Sequence, residues 1–128
     1  GIAKIKNGLV KELRLGNMDA MRDWGFAGDY VEAMYLMLQQ KSPDDFVIGT
    51  GESHSVKEFV ELAFKYAKLP DWKKYVVIDP QFKRPAEVPV LKARPDKAFK
   101  RLNWKPKVSF EDLVKMMVDA DLKRYQNK

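Results

Sequence analysis

The sequence predicts an α/β fold, made of helices with a few short strands between them. Segments with apolar residues at helical spacing alternate along the chain with short runs rich in β-branched residues, and glycine or proline separates them. A composition of 45% hydrophobic and 33% charged residues is typical of a globular protein and not of a disordered one. The predicted order is helix, strand, helix, strand, helix, strand, helix, helix, and the three strands need not lie in one sheet. At 128 residues the chain is one domain or a piece of one.

Four elements are predicted in the first part of the chain. Apolar residues recur at helical spacing over residues 2–9 and indicate the end of a helix. Polar and apolar residues alternate over residues 11–15, which predicts a short strand. Residues 29–39 are apolar on nearly every face, so we expect a central helix that is covered on several sides. Residues 45–49 have β-branched residues at their centre and predict a second strand that ends at a glycine.

A capping box opens the next predicted helix. Ser55 is followed three residues later by Glu58, and such a pair satisfies amide groups at the start of a helix. Leu69 and Pro70 are expected to end this helix. Its predicted buried stripe consists of Val56, Phe59, Val60, Ala63, Phe64 and Ala67.

The remaining elements are a strand and two helices. Residues 75–79 predict the third strand, and prolines at positions 80, 85 and 89 predict an ordered or extended loop after it. Residues 96–102 predict a short helix. Ser109 with Asp112 is expected to cap a last helix. The apolar residues of that helix are Phe110, Leu113, Val114 and Met117.

Composition excludes several functional classes. There is no cysteine, which removes disulfides, thiolate nucleophiles and thiolate metal sites. His54 is the single histidine, so a Ser-His-Asp hydrolase would have to use it, and a histidine metal site would need carboxylates as its other ligands. We assign no catalytic and no metal-binding residue. No run of about 18 apolar residues and no signal peptide is present, so we expect no membrane contact and a cytoplasmic protein. The net charge of +6 is scattered, which favours a phosphorylated small molecule over nucleic acid as the partner.

The sequence carries no complete cofactor motif. The turn from Gly49 to His54 follows a predicted strand as a dinucleotide fingerprint does, but the histidine replaces the third glycine and would obstruct close helix–strand packing. We therefore interpret its two glycines as a tight turn that can still face a ligand. No tyrosine is followed four residues later by lysine, so the tyrosine–lysine pair of dehydrogenases/reductases is absent. We assign no cofactor-binding residue to this chain.

Two segments carry candidate binding residues. Arg22 stands beside Asp23 in a polar, turn-rich stretch before the central helix, and such a pair alone is compatible with a salt-bridged surface loop. Arg84 and Glu87 lie in the proline-rich loop. A rigid loop with this cation and this acceptor suits a phosphate together with a vicinal diol.

Both segments are parts of a longer resemblance to the GDP-mannose 4,6-dehydratases. The block at residues 15–39, which includes R-D-W-G at 22–25, closely resembles the signature of that family. T-G-E-S-H-S-V-K-E-F at 50–59, R-P-A-E-V at 84–88 and L-N-W-K-P at 102–106 are similar to three further family motifs. The resemblance covers nearly the whole chain. Related epimerases and reductases share only the arginine and a following aspartate of the first block.

The resemblance implies that residues 1–128 are the nucleotide-sugar-binding C-terminal domain of an extended short-chain dehydrogenase/reductase. In that family an N-terminal Rossmann domain carries NADP and the catalytic residues, so this chain is expected to be a fragment without that domain and inactive alone. The reaction implied for the complete enzyme, a step of deoxyhexose biosynthesis, converts GDP-mannose to GDP-4-keto-6-deoxymannose and water. NADP takes a hydride from C4 and returns it to C6. The implied partners are GDP-mannose, the Rossmann domain and further copies in a homo-oligomer.

The resemblance also implies which residues bind the substrate. The implied set is Arg22, Arg84, Glu87, Leu13, Leu15, Gly16 and Asn17. The two arginines correspond to residues that grip the diphosphate, Glu87 to a carboxylate that holds ribose hydroxyls, and the backbone at 13–16 to the segment that clasps the base. Four positions depart from the family pattern and leave any role there open: Met21, Phe26, Pro89 and Arg94.

Two alternative functions remain at this point. A related nucleotide-sugar epimerase or reductase has a similar substrate domain, and a preference for UDP over GDP would distinguish an epimerase. A stand-alone, non-enzymatic binding module is the alternative from a different class of protein.

Overall fold

The computed structural model describes residues 1–69, 71–82, 84 and 86–126. The helices in these residues are α1 (Ile2–Lys6), α2 (Ala27–Leu38), α3 (Val56–Tyr66), α4 (Asp96–Arg101) and α5 (Phe110–Tyr125). The strands are β1 (Leu13–Leu15), β2 (Met21–Arg22), β3 (His54–Ser55) and β4 (Val76–Ile78), and short 3-10 helices cover Trp72–Lys74 and Pro80–Phe82. The prediction of an α/β chain of helices with a few short strands is confirmed.

The chain divides into two compact units. The first unit comprises Gly1–Ala20, Ser55–Pro89 and Val114–Lys128, and the second comprises Met21–His54 and Val90–Leu113. Each unit is assembled from segments that are far apart in sequence. That residues 1–128 act as one nucleotide-sugar-binding domain stays a prediction.

A pair of parallel strands, the helices α1 and α3 and most of α5 build the first unit. β1 pairs with β4, with Leu13 opposite Val76 and Leu15 opposite Ile78. Because side chains alternate across a strand, both leucines of β1 point to the same face, where they pack on the core. The core cluster beneath them consists of Ile5, Met18, Val60 and Phe64. Removing this apolar surface from water is the main favourable contribution to folding of the unit.

The start of α3 shows the predicted capping box. The Ser55 hydroxyl accepts a hydrogen bond from the Glu58 amide at 3.0 Å, and the Glu58 carboxylate accepts one from the Ser55 amide. The predicted stripe is confirmed as well: Val60, Ala63, Phe64 and Ala67 are buried, and Val56 and Phe59 are half-buried. The predicted stop at Leu69 and Pro70 lies just beyond Tyr66, and Pro70 is outside the described residues.

The cap of the last helix is also present. The Ser109 hydroxyl accepts from the Asp112 amide at 3.1 Å and donates to the Asp112 carboxylate at 2.7 Å. Along α5, Leu113 and Val114 are buried, whereas Met117 is about half exposed. Helical spacing therefore located the helix, and packing decided which of its apolar side chains are covered.

The second unit is built around α2 and α4. Its core cluster consists of Ala33, Ala98, Leu102 and Trp104. The Trp104 indole donates to the carbonyl oxygen of Asp29 at 2.9 Å. The Asp29 carboxylate, buried in the first turn of α2, accepts from the amides of Lys107 and Val108 at 2.9 and 3.0 Å. These bonds tie the L-N-W-K-P segment to the start of α2.

The predicted strand at residues 45–49 is wrong. Within the described part of the chain this segment is irregular and belongs to neither two-stranded sheet. Phe46 and Ile48 pack against the core cluster of the second unit, which accounts for apolar residues in this segment. A strand also needs a neighbour that supplies backbone hydrogen bonds, and no strand of the described chain pairs with this segment.

The predicted burial of α2 on several sides is also wrong for the described chain. Val31, Met34, Tyr35 and Leu38 are exposed by 63%, 56%, 62% and 82%. Only the side of the helix that includes Ala33 is fully covered, because α4 and the Trp104 segment pack there. Despite this apolar surface, α2 falls short of the length and hydropathy needed to cross a membrane, as does every other helix among the described residues.

Candidate functional site

The end of β1 holds several of the predicted binding residues. Leu13 and Leu15 direct their side chains to the core of the first unit. The Leu15 carbonyl accepts from the Asp79 amide at 2.8 Å, which continues the pairing with β4. That the backbone at 13–16 clasps the base, as the resemblance implies, stays a prediction.

Gly16 lies directly against the turn that follows β4. A Cβ atom at this position would sit 2.5 Å from the carbonyl oxygen of Phe82, closer than real Cβ atoms approach, so no larger residue fits without displacing that turn. Asp79 holds the turn in place, because its buried carboxylate accepts from the Gln81 amide at 2.9 Å. Asp79 is not among the residues predicted from the sequence, although an aspartate at a strand end directly before a proline is a recognisable turn signal.

The structure brings two predicted residues together in the first unit. The Asn17 side-chain amide donates to the Glu87 carboxylate at 2.9 Å, across 70 residues of sequence. The side-chain oxygen of Asn17 also accepts from the Asp19 amide at 3.0 Å. Hydrogen bonds therefore orient both the nitrogen and the oxygen of this side-chain amide. Glu87 is half-buried. Arg84, in the same loop, is exposed, and its neighbours at 83 and 85 lie outside the described residues.

Arg22 lies in β2 of the second unit. Its guanidinium donates to the carbonyl oxygen of Met21 at 2.7 Å, and the same carbonyl accepts from the Leu91 amide at 3.0 Å. Met21 also forms an isolated parallel bridge with Val90. The backbone that carries Arg22 is therefore paired along one side by residues 90–91.

Asp23, the next residue, is the centre of a hydrogen-bond cluster that sequence analysis missed. One carboxylate oxygen accepts from the Thr50 amide at 2.9 Å and from the Thr50 hydroxyl at 2.7 Å. The other accepts from the amides of Gly51 at 2.9 Å and Ala93 at 3.2 Å. Partial burial raises the pKa of Asp23, but the hydrogen bonds from Thr50, Gly51 and Ala93 together outweigh it, so the pKa lies below its ordinary value.

The two glycines at 49 and 51 let the backbone pass close to the Asp23 carboxylate. A Cβ at Gly49 would meet the Ala93 side chain at 2.3 Å, and Gly51 adopts a φ of +79° that other residues rarely take. The turn therefore closes around a carboxylate, which is a structural reason for glycine at both positions. The chain bends at Gly49 and Gly51, and the interpretation as a tight turn stays a prediction.

Aromatic rings form a second feature of this unit. The His54 ring stacks on Phe110 with centroids 3.9 Å apart, and Trp24 stacks on Phe110 at 5.7 Å. A cavity of about 230 Å³ beside them is lined in part by Thr50 and Ser109. That the 49–54 turn faces a ligand stays a prediction. Among the described residues, no three histidine, cysteine, aspartate or glutamate side chains are placed to hold a metal ion.

The chain is similar in sequence to a family model and to several known proteins. A family model described as "GDP-mannose 4,6 dehydratase" matches residues 1–117. The protein named "GDP-mannose 4,6 dehydratase 1" of Arabidopsis thaliana is 60% identical over 121 residues, which cover 94% of this chain and 33% of that protein. The Homo sapiens protein "GDP-mannose 4,6 dehydratase" is 47% identical over 137 residues, with coverage of 94% and 37%. The chain therefore spans about a third of the length of these curated relatives.

Solved structures share the fold of the chain. A structure described as RMD from Pseudomonas aeruginosa complexed with NADPH superposes with a TM-score of 0.84 at 22% identity, covering 96% of this chain and 40% of that one. A dTDP-glucose 4,6-dehydratase from Bacillus anthracis gives a TM-score of 0.78 at 20% identity, covering 98% and 38%. At these identities the similarity establishes the fold alone.

Proposed function

The chain belongs to the GDP-mannose 4,6 dehydratase family, and from this premise we propose that it forms the part of such an enzyme that binds GDP-mannose. The complete enzyme, in this proposal, converts GDP-mannose to GDP-4-keto-6-deoxymannose and water. The observation that carries the proposal is the hydrogen bond between Asn17 and Glu87. It joins, within one unit, two sequence blocks that resemble the nucleotide-sugar motifs of the family.

Glu87 is proposed to bind the ribose. A carboxylate offers about four acceptor positions on its two oxygens, and Asn17 occupies one of them. Two carboxylate oxygens suit the two vicinal hydroxyls of a ribose, because both hydroxyls can donate. Because Asn17 is itself oriented by the Asp19 amide, the carboxylate is ordered before a ligand arrives, which lowers the entropic cost of binding.

The backbone at residues 13–16 is proposed to contact the base. The leucine side chains of β1 are turned into the core, and Gly16 has no side chain, so this stretch presents main-chain atoms. Main-chain amides and carbonyls are suitable partners for the edge of a guanine, which carries both donors and acceptors.

The arginines are proposed to bind the diphosphate. Arginine carries its donors in a rigid fork that matches phosphate oxygens, whereas a lysine acts as a point charge. Arg22 follows Met21, which bridges Val90 and accepts from the Leu91 amide, and Arg84 is exposed in the first unit. That both reach the same diphosphate stays a prediction.

The glycine-containing turn of this chain does not fit NADP. The amides of Thr50 and Gly51 are the groups that would face a pyrophosphate there, and both already donate to the Asp23 carboxylate. The negative charge of that carboxylate would also repel an anion. We propose that a different part of the complete enzyme holds NADP and supplies the hydride transfer, and that this chain alone is inactive.

Calorimetry with GDP-mannose, GDP and UDP-glucose tests the binding function. We expect the chain to bind both GDP ligands and to bind UDP-glucose at least about tenfold more weakly. Arg22→Lys and Arg84→Lys should each weaken GDP-mannose binding about tenfold, since charge-assisted hydrogen bonds contribute about 1.5–3 kcal/mol. Glu87→Gln should cost less, because an amide oxygen still accepts. If both lysine variants bind within about twofold of wild type, the arginines are only surface groups.

A chimera tests the enzymatic role. The matching segment of the Arabidopsis thaliana relative is replaced by this chain, and conversion of GDP-mannose is followed. Turnover would support the role of a substrate domain. A chimera that folds and binds NADP but does not bind GDP-mannose would contradict it. UDP-glucose preference would instead favour an epimerase, and tight binding by the chain without turnover in the chimera would favour a stand-alone binding module.

A further inference from the structure

We propose that Asp23 is a positioning residue that fixes Arg22 for binding the diphosphate. This inference rests on the function proposed above and adds to it a residue that would not itself touch the ligand. Asp23 follows Arg22 directly in the chain, so whatever fixes its side chain also restrains the backbone from which the guanidinium extends.

The first observation is the number of donors that converge on Asp23. Four of them share its two oxygens: the amide and hydroxyl of Thr50, the amide of Gly51 and the amide of Ala93. A carboxylate has about four acceptor sites, so these donors account for its capacity. Three come from the 50–51 turn and one from residue 93, which means that Asp23 joins two separate loops to the end of β2.

The second observation is that the other side of Arg22 is restrained by the same loop. Met21 forms a parallel bridge with Val90, and its carbonyl accepts from the Leu91 amide at 3.0 Å. Residues 90–93 therefore run alongside residues 21–23 and contact the residues on both sides of Arg22. On the other side of Arg22, the Asp23 carboxylate accepts a hydrogen bond from the Ala93 amide.

The chemistry of a carboxylate is required at this point. All four groups around it are donors, and only an acceptor without hydrogens can receive them all. Asparagine has the same shape, but its NH2 group would face either the two Thr50 donors or the amides of Gly51 and Ala93. That conflict leaves two donors without an acceptor, and we expect the β2 end to shift in response.

The direction of the effect on affinity separates positioning from simple electrostatics. Asp23→Asn removes a negative charge near a proposed anion site, and Coulomb attraction alone predicts tighter binding of GDP. Loss of positioning predicts weaker binding, because a guanidinium fork depends on geometry. The matched control is Asp45→Asn, which removes the same charge from an exposed residue of the same unit.

The experiment is calorimetry with GDP and guanosine on wild type, Asp23→Asn and Asp45→Asn. We expect Asp23→Asn to bind GDP about tenfold more weakly than the control, while guanosine, which has no phosphate, binds both within about twofold. GDP affinity equal to or higher than that of the control would overturn the proposal. An equal loss for both ligands would also overturn it, since a general structural defect does not discriminate between them.

A double-mutant cycle with Arg22→Lys gives an independent readout. If Asp23 acts through Arg22, adding Asp23→Asn to Arg22→Lys weakens GDP binding by less than about twofold further; additive losses would contradict the proposal. If Arg22→Lys alone binds GDP like wild type, the diphosphate role of Arg22 in the proposed function has failed, and the Asp23 proposal fails with it.

Thr50 offers a milder perturbation if Asp23→Asn does not fold. Thr50→Ser keeps the hydroxyl that donates to Asp23, and Thr50→Val removes it at nearly the same volume. We expect the serine variant to bind GDP like wild type and the valine variant to bind about threefold more weakly, with guanosine unaffected. Equal GDP affinity in both variants would count against the inference.

Discussion

Removal of the Asp29 carboxylate is expected to destabilise the second unit more than removal of an exposed charge from the same helix. Asp29 is 4% exposed and stands in the first turn of α2. One of its oxygens accepts from the amides of Lys107 and Val108 at 2.9 and 3.0 Å. Asp29→Ala therefore leaves two backbone donors without their acceptor, and the loop that follows Trp104 loses its attachment to the helix.

The magnitude follows from these contacts. An amide left without a partner costs about 1–3 kcal/mol, with the lower part of the range where water can enter. Lys107 is exposed, so we take about 1 kcal/mol for its amide and about 2 kcal/mol for that of the half-buried Val108. Alanine recovers about 0.5 kcal/mol through its helix propensity. The expected loss is about 2–3 kcal/mol for Asp29→Ala and about 1 kcal/mol for Asp29→Asn, which keeps one acceptor oxygen.

Urea unfolding followed by far-UV circular dichroism measures this loss. The matched control is Glu32→Gln, because Glu32 lies on the same helix and forms an exposed ion pair with Lys107. Such pairs contribute about 0–1 kcal/mol, so the control should change the unfolding free energy by about 0.5 kcal/mol or less. An Asp29→Ala variant as stable as Glu32→Gln would refute the reasoning that the two amides depend on this carboxylate.

Three further outcomes are expected. Ser55→Ala removes the N-cap acceptor of α3 and should lower the unfolding free energy by about 1 kcal/mol; thermal melts that show an equal effect for Ser53→Ala would speak against the capping role. Gly16→Ala places a Cβ 2.5 Å from a carbonyl oxygen and should cost about 2 kcal/mol and weaken GDP-mannose binding; wild-type stability and affinity would mean that the facing turn can move aside. The pKa of Asp23 is lowered in the folded chain, so its stabilising effect is present above pH ~4 and is lost as the pH falls through the folded pKa. The stability difference between wild type and Asp23→Asn should therefore narrow in acid-dependent unfolding below pH ~4, and a constant difference would argue against that shift.

Features that depend on neighbours a few residues apart could be predicted from the sequence. Both capping motifs formed as expected, because Ser55 with Glu58 and Ser109 with Asp112 are three residues apart and meet in any helix that starts there. The buried stripe of α3 followed from helical spacing for the same reason. The identity of the family followed from contiguous motifs, which a sequence displays without folding.

Features that depend on a partner elsewhere in the chain were decided by the tertiary structure. Residues 45–49 have β-branched residues at their centre, as strands do, yet a strand needs a partner for backbone pairing. Within the described residues the fold supplies packing for Phe46 and Ile48 instead. The apolar α2 shows the same limit, since composition indicates what can be buried and only a packed neighbour buries it.

The candidate site contains residues that the sequence could nominate and contacts that only the folded chain shows. The sequence alone, through its resemblance to a family, nominated Arg22, Arg84 and Glu87, but no spacing rule could pair Asn17 with Glu87 across 70 residues. In sequence, Asp23 beside Arg22 is compatible with a salt-bridged surface loop, and the folded chain directs four donors from two distant loops to its carboxylate. The physical reason is that a carboxylate is bound by whatever donors surround it in space, and adjacency in sequence fixes only a small part of those surroundings.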